Sequence, residues 1–246
     1  MRLTVIGSCG AWPDAGQACS GYLVEHDGFR LLVDLGYAVV PRLLERVTAG
    51  AVDAVFISHG HPDHCADLNP LLRARVFGGH PQPLPVFALP GAVDAVLALD
   101  RPGMLTGGYE LLEIRPGSRF EIGPFGAQTW LLPHSRPNAG LRLSAAGRVL
   151  AYTGDTGPSP DVAELARAAD LLLAEASYAG DVPADTRHHL SSARQQGRQA
   201  AQADAGRLML THLMPGTDPS AARAEAGHEY HGDVSVATPD LIVELG

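Results

Sequence analysis

The octapeptide SHGHPDHC, residues 58–65, places three histidines and one aspartate within six positions, from His59 to His64. It starts at the last residue of VDAVFIS (52–58), in which five of seven residues are apolar, a pattern typical of a buried strand. Imidazole and carboxylate groups are ligands for zinc, manganese and iron. Because a sheet fixes the base of the loop that leaves it, the octapeptide predicts a metal site at a strand end.

The spacing within the octapeptide suggests two ions rather than one. His59 and His61 are separated by Gly60, which permits a tight loop, so the two imidazoles can converge on a single ion. Pro62 stiffens the turn into a predicted helix, from which Asp63 and His64 can reach a second ion. A polar loop with chance histidines is the alternative, but three of the chain's 11 histidines in one such window are hard to assign to chance.

Four local ligands do not fill two coordination spheres, so more ligands are expected at other strand ends. WLLPHSRP places His134 just after an apolar strand, and RVLAYTGDTGP places Asp155 in a glycine-flanked turn after another. RLMLTHLMP places His212 near the end of a third. Each site repeats the arrangement of a hydrophobic strand followed by a coordinating side chain.

Length and composition set the class of protein. The chain has 246 residues, 46% of them hydrophobic, and no linker or repeat, which predicts one domain over residues 1–246. No apolar run is long enough for a membrane span, and the N-terminal residues lack the features of a signal peptide, so a cytoplasmic protein is expected. Three cysteines form no disulfide framework. A net charge of −9 argues against an extended nucleic-acid surface.

Apolar runs bounded by Gly, Pro and Asp predict the secondary structure. The predicted strands are 2–7, 21–26, 29–36, 52–58, 85–88, 111–114, 119–122, 127–132, 141–145, 148–154, 170–176, 207–213 and 234–238. The predicted helices are 40–48, 66–77, 91–100, 160–168, 191–205 and 218–227, with Ser191 as an N-cap. Early strands joined by short turns and later strands alternating with helices predict two mixed sheets packed face to face, with helices outside.

The ordered set HxHxDH, a lone His, GDT and a late His resembles the metallo-β-lactamase superfamily, and more narrowly its branch of ribonuclease Z and related phosphodiesterases. The resemblance implies an α/β fold, the four-layer αββα sandwich. It further implies that His59, His61 and His134 hold one divalent ion, that Asp63, His64 and His212 hold a second, and that Asp155 bridges them. Zinc is the expected metal, with manganese or iron as alternatives.

The segment TRHHLSSARQQG supplies a candidate proton donor. In the branch that this chain resembles, a histidine at the place of His189 acts as a catalytic acid, and the adjacent His188 is the competing candidate. Glu175, at the end of DLLLAEAS, can either orient His189 or serve as a more general carboxylate behind the site. The predicted catalytic residues are therefore Asp63, His189 and Glu175.

Several other residues admit two interpretations. Asp34, in LLVDLG, can brace the histidine loop or serve a structural hydrogen bond. Arg136 can contact a phosphate or form a surface salt bridge. Cys65 is either a buried helix residue or a further ligand, and His228 and His231 are expected to face solvent.

Comparison with the branches of the superfamily reduces the number of reactions that this chain is expected to catalyse. Glyoxalase II-like thioesterases carry a helical domain after their ligands, lactamases usually lack the bridging aspartate, and ribonuclease Z commonly carries a tRNA-clamping arm that is not visible here. The phrases ACSGYLVEH, LAYTGDTG, EASY and HLSS resemble bacterial cyclic nucleotide phosphodiesterases of this branch. The predicted partner is a small phosphodiester or nucleotide, and a homodimer is compatible with the resemblance. Precursor tRNA cleavage, a thioesterase activity and a metal-binding module without catalysis remain the alternatives.

Overall fold

A computed structural model describes all residues from Met1 to Gly246. The strands are β1 (Arg2–Gly7), β2 (Gly21–His26), β3 (Phe29–Val33), β4 (Ala54–Ile57), β5 (Leu84–Ala88), β6 (Tyr109–Glu113), β7 (Arg119–Ile122), β8 (Phe125–Leu132), β9 (Asn138–Ala145), β10 (Arg148–Tyr152), β11 (Leu171–Glu175), β12 (Arg207–Thr211), β13 (Asp233–Val236) and β14 (Ile242–Glu244). The helices are α1 (Val39–Leu44), α2 (Pro62–Cys65), α3 (Leu68–Phe77), α4 (Asp94–Leu97), α5 (Pro160–Ala166), α6 (Ala193–Gln202) and α7 (Pro219–Gly227), with a short 3₁₀ turn at Ala49–Ala51. No helix has both the length and the apolar character needed to cross a membrane.

The strands form two seven-stranded mixed sheets with similar plans. The first has the order β14-β1-β2-β3-β4-β5-β6, with antiparallel pairing from β14 to β3 and parallel pairing from β3 to β6. The second has the order β13-β12-β11-β10-β9-β8-β7, with antiparallel pairing from β7 to β10 and parallel pairing from β10 to β13. In both sheets, hairpin-connected strands precede strands that alternate with helices, as the sequence pattern predicts.

Three apolar clusters separate four layers. The central cluster lies between the sheets and includes Tyr22 and Phe56 from the first sheet with Leu141 and Leu173 from the second. A second cluster packs α1, α3 and α4 onto the outer face of the first sheet. A third packs α5, α6 and α7 onto the second sheet, where small residues such as Ala200 allow close approach. The predicted four-layer αββα sandwich is therefore confirmed.

The element bounds differ from the predictions where local geometry overrides the apolar pattern. The run predicted as a strand over 29–36 leaves the sheet after Val33, because Asp34 takes a left-handed backbone with φ 57°. The helix predicted over 91–100 is reduced to one turn, α4. Strand β14 was not predicted, since three residues with an exposed Ile242 give no recognisable alternation.

The predicted N-cap of α6 was wrong by one residue. Ser192, not Ser191, accepts the amide of Gln195, and the Gln195 side chain accepts the amide of Ser192, which completes a capping box. The Ser191 hydroxyl instead donates to the carbonyl of Thr156 at 2.7 Å. Both serines are therefore satisfied, and the second one starts the helix.

Ser192→Ala is expected to lower the free energy of unfolding by about 1 kcal/mol, because the capping hydroxyl satisfies an otherwise unpaired helix amide. Urea denaturation of the wild type and the variant measures the difference. Ser220→Ala is the matched control, since Ser220 is exposed in the first turn of α7 and caps nothing. Equal midpoint shifts in the two variants would contradict the assignment of Ser192 as the cap.

Candidate metal centre

All seven predicted ligands meet at one edge of the sandwich. From the first sheet, His59 follows β4, His61 directly precedes the short helix α2, and α2 presents Asp63 and His64. From the second sheet come the residues that follow β8, β10 and β12. These are His134, Asp155 and His212. The seven side chains form two groups of four, with Asp155 common to both.

The first group contains the donor atoms of three histidines and one carboxylate oxygen. His61 Nδ1 lies 3.1 Å from His59 Nε2 and 3.0 Å from His134 Nε2. Asp155 Oδ2 lies 3.8 Å from His59 Nε2 and 3.7 Å from His134 Nε2. The four atoms could together surround one cation.

The second group is more deeply buried and contains two carboxylates. His64 Nε2 lies 3.6 Å from Asp63 Oδ2 and 3.1 Å from Asp155 Oδ1. His212 Nε2 lies 3.2 Å from Asp63 Oδ2 and 3.3 Å from Asp155 Oδ1. The two oxygens of Asp155 thus belong to different groups, the arrangement of a carboxylate that could bridge two ions.

The donor spacing fits a divalent ion. Nitrogen and oxygen ligands about 2.0–2.1 Å from a tetrahedral zinc are about 3.3–3.4 Å apart, and the observed separations bracket this value. His64 Nε2 and Asp155 Oδ1 are buried and make no well-aligned hydrogen bond, although they lie 3.1 Å apart. Buried polar atoms are normally paired, so these two orphaned atoms indicate a cation-binding site. The arrangement is compatible with a dinuclear centre.

The pKa values of the three histidines in the first group favour metal binding. Burial lowers the pKa of His59 well below its usual value, and the nearby His64 lowers it further. Burial also lowers the pKa of His61 and of His134. All three imidazoles are therefore neutral at pH 7, the state in which histidine binds a metal.

In the second group, the histidines and the carboxylates shift one another's pKa values. Burial is the largest single influence on His64 and His212 and opposes their charge. Asp155 acts together with Asp34 on His64 and with Asp63 on His212, so the pKa of both imidazoles is raised, that of His64 well above the usual value. Burial likewise opposes charge on Asp155, but His212 and His64 outweigh it and hold the pKa of this carboxyl well below its usual range. Burial opposes charge on Asp63 as well, but His212 and His64 lower the pKa of its carboxyl. Both buried carboxylates therefore stay ionised, as a divalent cation requires.

Hydrogen bonds to the remaining ring nitrogens orient four of the five histidines. His64 Nδ1 donates to Asp34 Oδ2 at 2.7 Å, which leaves Nε2 free to coordinate. His134 Nδ1 donates to the His189 carbonyl at 2.7 Å. Two hydroxyls serve the others. These are Ser58, 3.1 Å from His59 Nδ1, and Ser177, 3.2 Å from His212 Nδ1. Such partners fix the tautomer and raise the basicity of a ligand.

Asp34 holds the second donor group in place through hydrogen bonds to His64 and to the loop that carries the ligands. Its carboxylate is fully buried and accepts the Ser58 amide, the Ser58 hydroxyl and the Tyr152 hydroxyl, all at 2.7–2.8 Å, in addition to His64. The two interpretations of Asp34 therefore coincide, because the same carboxylate braces the backbone at Ser58 and orients the imidazole of His64.

Asp34→Asn is expected to weaken binding of the metal held by His64 by about 10- to 100-fold. The new amide would donate to His64 Nδ1 and favour the tautomer whose Nε2 carries the proton. Competition with a chelator of known affinity measures the change. Tyr152→Phe is the control, because it removes one donor to Asp34 without touching His64 and costs about 1 kcal/mol of stability. An equal loss of affinity in both variants would refute this role of Asp34.

Two glycines allow the ligand loops to form. A Cβ on Gly60 would lie 2.5 Å from the Ala92 carbonyl oxygen, so the predicted tight loop depends on close approach. Gly154 has φ +59°, and a Cβ there would lie 2.2 Å from Asn138 Oδ1. A further hydrogen bond to the site could not be predicted from the sequence, because its donor is a backbone amide. The amide of Ala11 donates to Asp63 Oδ2 at 2.9 Å.

The predicted proton donor lies at the rim of the centre. His189 is exposed, and its ring centroid is 6.5 Å from that of His134. Glu175 makes no hydrogen bond to His189. Its fully buried carboxylate accepts the amides of Ser177 and Ser191, and burial raises its pKa to about 8. Glu175 therefore fixes the chain two residues after His189 rather than its imidazole.

The remaining candidates lie outside both groups. Cys65 is buried in α2 and donates to the His61 carbonyl at 3.2 Å, which fits the structural interpretation. Arg136 forms no ion pair, so the predicted surface salt bridge was wrong. It lines an open groove of about 460 Å³ together with His134. His228 and His231 are exposed, as expected.

Comparison with known proteins places this centre in a family. The model described as the beta-lactamase superfamily domain matches residues 18–213. The chain therefore belongs to the beta-lactamase superfamily, and it is a metallo-hydrolase of the metallo-β-lactamase fold.

Individual relatives extend over the whole chain. The probable metallo-hydrolase YhfI of Bacillus subtilis is 31% identical over 248 residues, 99% of this chain and 100% of the relative. The crystal structure of YhfI superposes with a TM-score of 0.90 and 30% identity over 98% of both chains. Ribonuclease Z of Myxococcus xanthus is 32% identical over 305 positions, covering 100% of this chain and 98% of the relative. Human tRNase Z, short form, shares the fold with a TM-score of 0.80 at 22% identity over both complete chains.

Proposed function

We propose that this protein is a dinuclear phosphodiesterase that hydrolyses small 3′,5′-cyclic nucleotides. The observation that supports a dinuclear site best is the position of Asp155, whose two oxygens belong to different donor groups. The first ion would be held by His59, His61 and His134, and the second by Asp63, His64 and His212. Zinc suits this set of imidazole and carboxylate donors, and manganese or iron could replace it.

Bound ions and the residues around them would have different roles in the reaction. Bound divalent ions would supply a nucleophile from water near neutral pH and neutralise charge on the phosphoryl oxygens. Asp34, Ser58 and Ser177 hold the ligand imidazoles in the orientation that this requires. Asp63 is held by the Ala11 amide and His212, so its carboxylate has one position.

His189 is proposed to protonate the leaving oxygen. Its imidazole is exposed, and its ring centroid lies 6.5 Å from that of the candidate ligand His134. Its position is fixed through the backbone, because its carbonyl accepts His134 Nδ1 and Glu175 binds the amide of Ser191. Arg136, free of ion pairs in the groove beside His134, is proposed to contact a phosphoryl oxygen.

The compact chain favours a small substrate. The alignment to the Myxococcus ribonuclease Z runs over 305 positions against the 246 residues here, so at least 59 aligned positions have no counterpart in this chain. Between His134 and Asp155 the chain forms only the β9–β10 hairpin, closed by Ala146 and Gly147, which have φ 48° and 73°. That hairpin carries no arm with which to clamp a tRNA.

The test is turnover of 3′,5′-cyclic AMP by protein loaded with zinc or manganese, followed by chromatography. The expected result is formation of AMP in proportion to enzyme. Precursor tRNA and a thioester are assayed beside it, because ribonuclease Z-like and thioesterase activities are the competing proposals. Two bound ions with no hydrolysis of cyclic AMP would reject the proposed substrate, and cleavage of either competitor would identify the replacement.

A further inference from the structure

The segment that joins β1 to β2 passes directly over the deeper donor group. The Ala11 amide donates to Asp63 Oδ2 at 2.9 Å. Gly10 packs against His212, since a Cβ there would lie 3.0 Å from the Nδ1 of that ring. Residues 11–17 are all exposed, so an exposed segment adjoins two candidate ligands, Asp63 and His212.

Trp12 lies in this segment in an unfavourable setting. The residue is 51% exposed, although burial of a tryptophan is among the largest hydrophobic gains available to a protein. The preceding residue, Ala11, has φ 60°, a left-handed conformation that side chains rarely adopt. The Trp12 amide closes the turn on the Gly10 carbonyl at 2.7 Å. Backbone strain and an exposed aromatic ring at the same place, beside a candidate metal centre, indicate a functional role.

The indole has no stacking partner within the protein. No aromatic ring packs on Trp12 and no cation lies over it. Phe77 differs in this respect, because it is also exposed (62%) but carries the Arg73 guanidinium 5.0 Å above its ring. The exposed part of the Trp12 side chain is therefore available to a planar ligand.

The distance from Trp12 to the candidate centre suits a nucleotide. The amide nitrogen of one residue and the Cα of the next are about 5 Å apart, so the Cα of Trp12 lies within about 8 Å of Asp63 Oδ2. A nucleobase is separated from its phosphate by one sugar, a comparable span. A phosphate at the donor groups would therefore bring its base within reach of the indole.

We propose that Trp12 is a specificity residue that stacks on the nucleobase of the substrate. The inference rests on the proposed function and deepens it, because it assigns recognition of the base to one side chain. Stacking on an aromatic residue binds any base, so the residue would favour nucleotides over other phosphodiesters without selecting a particular base.

The first test is fluorescence, which does not depend on turnover. In Trp130→Phe, Trp12 is the sole tryptophan of the chain, and 5′-AMP is expected to quench its emission. Ribose 5-phosphate, which has the phosphate and sugar but no base, is expected to leave the emission unchanged. In Trp12→Phe, only Trp130 reports, and neither compound should alter its signal. Equal responses of Trp12 to both compounds, or no response to either, would overturn the proposal.

Kinetics with cyclic AMP provide the second test. Trp12→Ala is expected to raise KM about tenfold with kcat unchanged, and Trp12→Phe to restore most of the loss, because a phenyl ring also stacks. Phe77→Ala is the control for loss of an exposed aromatic ring and should match the wild type. An unchanged KM in Trp12→Ala would reject the role of Trp12 while leaving the phosphodiesterase proposal intact. Absence of turnover in the wild type would reject the substrate proposal, and the fluorescence test would still decide whether Trp12 binds a base.

Discussion

Asp155→Ala is expected to reduce turnover at least about 1,000-fold and to lower the metal content from two ions per chain to one or none. Asp155 contributes one oxygen to each donor group, so its removal would deprive both proposed ions of a ligand at once. Stabilisation of transition-state charge by metal ions is worth several kcal/mol, and 1.36 kcal/mol corresponds to a tenfold change in rate. The measurements are elemental analysis of purified protein and the initial rate with cyclic AMP.

The control for Asp155→Ala is Asp204→Asn, which neutralises an exposed aspartate between α6 and the start of β12, whereas His212 follows the other end of that strand. It should keep two ions and the full rate. Because Asp155 also balances the charge of His64 and His212, circular dichroism must show that the variant is folded. A folded Asp155→Ala protein with two ions and near-normal turnover would contradict the bridging role.

His189→Ala is expected to lower kcat for cyclic AMP by about 100-fold or more, the usual contribution of a general acid. The loss should depend on the leaving group. An alkoxide from a ribose needs a proton, whereas 4-nitrophenolate leaves without one, so hydrolysis of bis(4-nitrophenyl) phosphate should fall less than tenfold. The ratio of the two losses separates a proton donor from a residue that only shapes the site.

His188→Ala is the matched control for His189→Ala, since both side chains are exposed and adjacent. It should retain normal kinetics with both substrates. If His189→Ala slowed both substrates equally, the side chain would be assigned to substrate positioning. If His188→Ala showed the leaving-group dependence instead, the choice between the two histidines would be reversed.

Much of the fold and of the site could be predicted because the signals are local. Strands β1, β2 and β7 match their predicted bounds, since glycine, serine, proline or aspartate turn residues mark their ends. The ligands also follow a local rule, since His59, His134 and Asp155 stand just after predicted strands and His212 near the end of another. Their division into two groups was implied by the family resemblance, and the structure brings the seven side chains together in that arrangement.

The parts that were not predicted depend on contacts distant in sequence or on the backbone. The Tyr152 hydroxyl reaches Asp34 across 118 positions of sequence, and the Ala11 amide reaches Asp63 across 52. A backbone amide carries no residue signature, so its role could not be read from the chain. Glu175 was correctly placed near the site, but its partners, the amides of Ser177 and Ser191, become visible only in three dimensions.

Both donor groups draw ligands from both halves of the sandwich. His59 and His61 come from the side of the first sheet and His134 from the second, while Asp63 and His64 face His212 across the same seam. A bound ion would therefore act as a cross-link between the two sheets, and its binding free energy would add to the cohesion of the whole molecule. Neither half possesses a complete coordination shell, so a fragment ending near residue 113 would bind metal weakly. Mixing it with the complementary fragment would restore affinity only when the two sheets dock in register.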